Sequence, residues 1–180
     1  MDAIHVRGGN RLFGETKIQG SKNAVLPILA AALLIEDVCV IENCPRISDV
    51  HHMLMLLEEI GCKVKRSDKA VTIDARYLSK DTMSGENVTG MRSSIMLLGA
   101  MLGREGEVTM AYPGGCVIGE RPIDLHLSAL RKMGVRIYEK EGFFTAKAVK
   151  LEGSVIRLSI SSVGVTENVL LAAVRAAGVT

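Results

Sequence analysis

An α/β fold built from a repeated helix–strand–helix–hairpin unit is what this sequence predicts. Three observations carry that reading. An apolar helix, a buried strand, an amphipathic helix and a hairpin occur in this order twice. The spacing is constant: Lys22 and Arg92 are 70 residues apart, and so are Val38 and Val108. Gly61 and Gly134 each stand just past the second helix of a copy, 73 residues apart, where a chain leaving a helix often needs the left-handed backbone that glycine adopts readily.

Taken in order, residues 1–21 alternate apolar and polar positions between glycines, which predicts short strands and turns. Residues 22–35 form an apolar helix, and Val38–Ile41 a buried strand. Ser48 is the expected N-cap of a helix carrying Val50, Met53, Leu54, Leu57 and Ile60 on one face. Lys63–Lys65 and Ala70–Ile73 form a hairpin around Ser67-Asp68. The second copy runs through a helix at Arg92–Leu102, a strand at Glu107–Met110, a helix at Ile123–Met133 and a hairpin of 135–138 with 143–146. A third copy opens at Thr166–Val174, and the sequence reads as cut short at Gly178-Val179-Thr180. The expected organisation is therefore a segment 1–21, then a domain 22–180. That domain holds two full repeats (about 22–90 and 91–150) and a truncated third (about 151–180).

The 180 residues include 22 Lys+Arg against 20 Asp+Glu, and 48% are hydrophobic. That balance excludes intrinsic disorder and gives no basic surface for nucleic acid. With Trp 0, Tyr 3 and Phe 3, stacking platforms for bases are lacking as well. The longest uncharged apolar run, Ala24–Ile35, has 12 residues, short of the ~20 that span a bilayer. Met1–Arg7 has no signal-peptide profile, so a cytoplasmic location with no membrane partner is expected. Cys39, Cys44, Cys62 and Cys116 form no zinc-type pair. The first three are expected to be small buried hydrophobes. The adjacent His51 and His52 point about 100° apart on a helix, so no metal is expected.

The residues suited to chemistry lie in two places. Tyr112-Pro-Gly-Gly-Cys116-Val-Ile-Gly-Glu-Arg121-Pro122-Ile-Asp-Leu-His126 sets one thiol and one arginine among glycines and prolines. Glycines admit a ligand close to backbone N–H groups, and Pro122 suits the first turn of the next helix. Arg121 and that helix start both favour negative charge and would lower the pKa of Cys116. A plain surface turn with an incidental cysteine accounts for the same residues equally well. Lys22-Asn23 and Arg92 are the second place. Each precedes an apolar helix at the same point of the repeat, and they would converge on one anion if the copies are related by rotation. For a lone lysine, an exposed capping charge is the plainer reading.

These stretches resemble one family. Gly20-Ser-Lys-Asn-Ala-Val-Leu-Pro27, Met91-Arg-Ser-Ser94, Pro113–His126 and Ser162-Val-Gly-Val-Thr-Glu-Asn168 are similar to the N-terminal part of the UDP-N-acetylglucosamine (UDP-GlcNAc) enolpyruvyl transferases, over essentially the whole chain. The related shikimate-pathway transferases share the repeat fold without the cysteine loop. The resemblance implies an inside-out α/β barrel and transfer of the enolpyruvyl group of phosphoenolpyruvate to the 3′-hydroxyl of UDP-GlcNAc. Phosphate is released through a tetrahedral ketal, with no cofactor, in the first committed step of peptidoglycan synthesis. It implies Cys116 as the catalytic cysteine and fosfomycin target, with Lys22, Asn23 and Arg92 as anion contacts. Arg121, Pro122, Ile123, Asp124 and Leu125 correspond to the loop on the UDP part, and Ser162, Val163 and Gly164 to a second nucleotide contact. Some relatives carry a lysine just before that last segment, where Ile160-Ser161 stand here.

Family members are more than twice as long, and their second domain supplies a catalytic aspartate and a further arginine. Residues 1–21 belong to that second domain in the family. The expectation is that this 180-residue chain has no turnover by itself, and that its open strand edges favour self-association. Two alternatives stand beside this reading: an enolpyruvyl transferase for another acceptor, and a non-catalytic domain that binds a nucleotide sugar or a partner.

Overall fold

The computed structural model describes residues 3–68, 70–114 and 123–180. The first repeat runs through α1 (Lys22–Ala31), a 3₁₀ turn (Ala32–Leu34), β1 (Val38–Glu42), α2 (Ser48–Glu59), β2 (Lys63–Arg66) and β3 (Ala70–Asp74). A short β4 (Thr82–Met83) and α3 (Glu86–Thr89) lead into the second. There a 3₁₀ turn (Arg92–Ile95) continues as α4 (Met96–Glu105), followed by β5 (Glu107–Ala111), α5 (Asp124–Lys132), β6 (Arg136–Lys140) and β7 (Phe143–Lys147). Then comes α6 (Val163–Ala173).

The two repeats make the same sheet. In one the order is β1-β3-β2, in the other β4-β5-β7-β6. In each, the repeat's first strand pairs antiparallel with the second strand of its hairpin, Val40 opposite Thr72 and Thr109 opposite Thr145. The Thr109 and Thr145 hydroxyls are 2.9 Å apart and share a hydrogen bond.

The first helix of each copy lies inside: α1, α4 and α6 pack on one another, with α2 against α1 and α5 against α6. Burial explains why these segments are helical despite Pro27 within α1. Leu29, Leu33, Leu97, Leu98 and Ala172 are fully enclosed, and such packing stabilises short helices more than propensity does. On α2, Val50, Met53, Leu54, Leu57 and Ile60 are all buried, as their spacing requires. Gly61 and Gly134 end α2 and α5 with φ of 112° and 90°.

Four expectations are corrected. β1 is not a buried strand: Val38 and Val40 are exposed, and Cys39 and Ile41 are half-buried. No strand forms between Ala3 and Gly20, and Ile4, Val6, Leu12, Phe13 and Ile18 are exposed. Alternation makes a strand only where a neighbouring edge accepts its backbone hydrogen bonds. Ser48 is the first residue of α2 rather than its cap; Ile47 holds that position, without a side-chain bond. Cys39 and Cys44 are half-buried, and Cys62 alone of the described cysteines is buried; that burial pushes its thiol up to about 11. No helix among the described residues is long and apolar enough to cross a membrane.

Candidate functional site

The inside packing of α1, α4 and α6 brings their N-terminal ends together. A cavity of about 420 Å³ opens there, lined by Asn23 of α1, Arg92 and Ser93 of the 3₁₀ turn before α4, and Ser162, Val163 and Gly164 at the start of α6. Helix starts carry N–H groups without intrahelical partners and the positive end of the helix dipole. Three of them around one cavity, with a guanidinium, make a setting for an anionic ligand.

Local chemistry fixes each wall. Ser162 caps α6, its Oγ accepting from the Val165 N–H at 3.3 Å. The buried Ser94 hydroxyl faces the Met91 and Val88 carbonyls at 2.7 and 3.1 Å and fastens the turn that carries Arg92. Gly164 is small because the site is tight: a Cβ there would lie 3.1 Å from the Met96 methyl and 3.7 Å from His126 Cε1.

Of the residues expected at a site, Asn23, Arg92, Ser162, Val163 and Gly164 meet at this cavity. Lys22 is outside its lining; the Nζ lies 2.6 Å from the Asp49 carboxylate of α2, and the side chain is half exposed. Ile123 is buried, Leu125 is half-buried and Asp124 is the exposed first residue of α5. That helix begins at Asp124 rather than at Ile123. Cys116, Arg121 and Pro122 lie outside the described residues.

Two titratable lining residues, His126 and Glu167, had no role assigned from sequence. His126 is 6% exposed, and burial, helped by the Arg92 charge, pushes its pKa down to about 4, so it is neutral at pH 7. Glu167 lines the cavity as well, and burial raises its carboxyl pKa. The signal for His126 was a polar residue on a helix face otherwise held by Leu127, Leu130 and Met133, all buried. Asn168, on the α6 face of Val165, Val169 and Ala172, carries the same signal.

Fold and site together define a repeat α/β protein whose inner helices point their N-termini into one cavity of mixed polar and apolar lining. Residues 6–180 match the family described as EPSP synthase (3-phosphoshikimate 1-carboxyvinyltransferase), and the chain belongs to that family. The chain is 47% identical over its full length to UDP-N-acetylglucosamine 1-carboxyvinyltransferase 2 of Caldanaerobacter subterraneus subsp. tengcongensis. It is 42% identical to UDP-N-acetylglucosamine 1-carboxyvinyltransferase of Dichelobacter nodosus. In both cases the chain spans 43% of the relative's length. Among solved structures, the enolpyruvyl transferase NikO from Streptomyces tendae superposes with a TM-score of 0.79 at 21% identity, over 95% of this chain and 40% of that one. EPSP synthase from Acinetobacter baumannii superposes at 0.64 and 19%, over 92% of this chain and 39% of that one. These likenesses establish the enolpyruvyl transferase fold.

Proposed function

We propose that this chain supplies one side of the substrate site of a UDP-GlcNAc 1-carboxyvinyltransferase, a cytoplasmic enzyme of peptidoglycan and cell-wall synthesis and so of cell shape and division. The observation that carries the reading is the convergence of the α1, α4 and α6 starts, with Arg92, on one cavity. The names of relatives more than 40% identical over the whole chain agree with it.

In the proposed reaction the 3′-hydroxyl of UDP-GlcNAc gives its proton to the aspartate of the family's second domain and its oxygen bonds to C2 of phosphoenolpyruvate, while C3 takes a proton and the C2–C3 double bond becomes single, giving a phosphate-bearing ketal. C3 then loses a proton, the bond from C2 to the phosphate oxygen breaks, and the double bond returns as phosphate leaves. No metal or organic cofactor enters this balance. Cys116 is the acid at C3. An anionic substrate bound beside the thiol would disfavour the thiolate by like-charge repulsion and so retain the proton that C3 needs. Arg92, Asn23 and the helix starts hold phosphate and carboxylate oxygens; Lys22 joins them as a point charge by leaving Asp49.

Mass spectrometry after fosfomycin treatment tests this reading. Selective modification at Cys116, faster with UDP-GlcNAc present, is the expected result. Equal inertness of Cys116 and the other cysteines, with and without the nucleotide sugar, would contradict it.

A further inference from the structure

Asn168 of α6 is almost fully buried and meets three groups. Its Oδ1 accepts from the Gly99 N–H at 2.7 Å, and its Nδ2 donates to the Ile95 carbonyl at 3.1 Å. Those two backbone groups stand four residues apart at the start of α4, the spacing of one α-helical turn. A backbone N–H only donates and a carbonyl only accepts, so the orientation of the carboxamide is fixed. The third contact is Nδ2 to His126 Nδ1, at 3.0 Å. An amide nitrogen has two hydrogens and no acceptor capacity. The first serves Ile95, so the second points at Nδ1, which must therefore be the bare, accepting nitrogen. In a neutral imidazole the proton then sits on Nε2. The Nε2 edge is the one beside Gly164, at the start of α6 in the cavity wall.

We propose that Asn168 is a positioning residue that locks His126 in the Nε2–H tautomer, so that the imidazole presents a neutral N–H donor beside Gly164 to an oxygen of the bound nucleotide sugar. The ligand half rests on the function proposed above; the tautomer half does not. A neutral donor suits a cavity already lined by Arg92 and Glu167, because it adds a directed hydrogen bond without a further charge. The arrangement also joins α6, α4 and α5 through one side chain.

Long-range ¹H–¹⁵N correlation of the imidazole in the ¹⁵N-labelled chain reads the tautomer directly. The expected result is a pyridine-like Nδ1 and a pyrrole-like Nε2. In Asn168→Asp the carboxylate accepts where the amide donated, and Nδ1 moves to the pyrrole-like position. A pyrrole-like Nδ1 in the unsubstituted chain overturns the proposal, whether or not the variant folds; so does an unmoved Nδ1 in a folded variant. Titration with UDP-GlcNAc separates the two halves. A shift of the Nε2–H resonance together with the Ser162 and Gly164 amides supports the donor role, and His126→Leu then weakens binding about tenfold while His126→Gln, which keeps an N–H near the Nε2 position, restores most of it. Amide shifts with a still Nε2–H overturn the donor role. A tautomer as expected with no cavity resonance moving supports the positioning by Asn168 and counts against the proposed function instead.

Discussion

The inner helices of the two complete repeats do the same job with opposite residues. The 70-residue spacing that relates Lys22 to Arg92 sets Leu29 of α1 against Gly99 of α4, and Leu33 against Gly103. Both leucines are fully buried and hold their neighbours at side-chain distance. Both glycines do the reverse. A Cβ on Gly99 would fall on the Asn168 backbone oxygen, and one on Gly103 would sit 3.0 Å from Leu34 Cδ2 and 3.3 Å from the Leu171 oxygen. So α6 lies directly on the α4 backbone, close enough for the Asn168 carboxamide to reach the turn after Arg92. A repeat can keep its topology while one copy fills space and another vacates it.

Exchanging the two solutions breaks the fold most severely. Gly99→Leu, which copies α1 into α4, forces a side chain into backbone rather than into a flexible neighbour. Its cost lies beyond the about 1–3 kcal/mol usual for overpacking; loss of the cooperative urea transition is expected, and a wild-type-like transition would remove the close-approach explanation. Leu29→Ala, the milder converse, leaves a cavity in α1 at about 2–5 kcal/mol, read as a lower urea midpoint with unchanged m-value.

Next in size is a pH effect. The folded pKa of His126 is lowered to about 4 from its ordinary 6.5, so the unfolded chain binds the extra proton first. The resulting stability is fully present above pH 6.5 and is lost as pH falls toward 4, in total on the order of 3 kcal/mol. His126→Gln should flatten the stability profile across that window; an unchanged slope would place the titration elsewhere. The smallest effect belongs to the ion pair outside the cavity. Asp49→Asn frees Lys22 and changes stability by less than about 1 kcal/mol. Tighter nucleotide or phosphate binding, measured by calorimetry, is expected from the released ammonium.

The repeat was legible because glycine stops and helix faces recur at constant spacing: Gly61 with Gly134, Val50 to Ile60 along α2. Arg92 and Asn23 were legible as helix-start residues because they stand at the same point of the repeat, and both line the cavity. The segment before Ser21 was misread because alternation states which face is apolar, not whether a sheet edge exists to receive it. Lys22 was legible as a helix-start cation, but its pairing with Asp49 depends on how α2 packs. His126 and Asn168 were visible as polar residues on buried faces, yet what they bond to is set by residues 42 and 73 positions away. No local pattern encodes that. Gly99 and Gly103 are poor helix formers by propensity, and the docking of α6 explains them.

Three helix starts from different repeats are proposed to form one binding site. Amide chemical-shift mapping during a UDP-GlcNAc titration tests it most directly. Resonances of Asn23, Arg92 and Ser162 to Gly164 are expected to move together along one saturation curve. Shifts confined to one of the three helix starts, or curves with different midpoints, would contradict it.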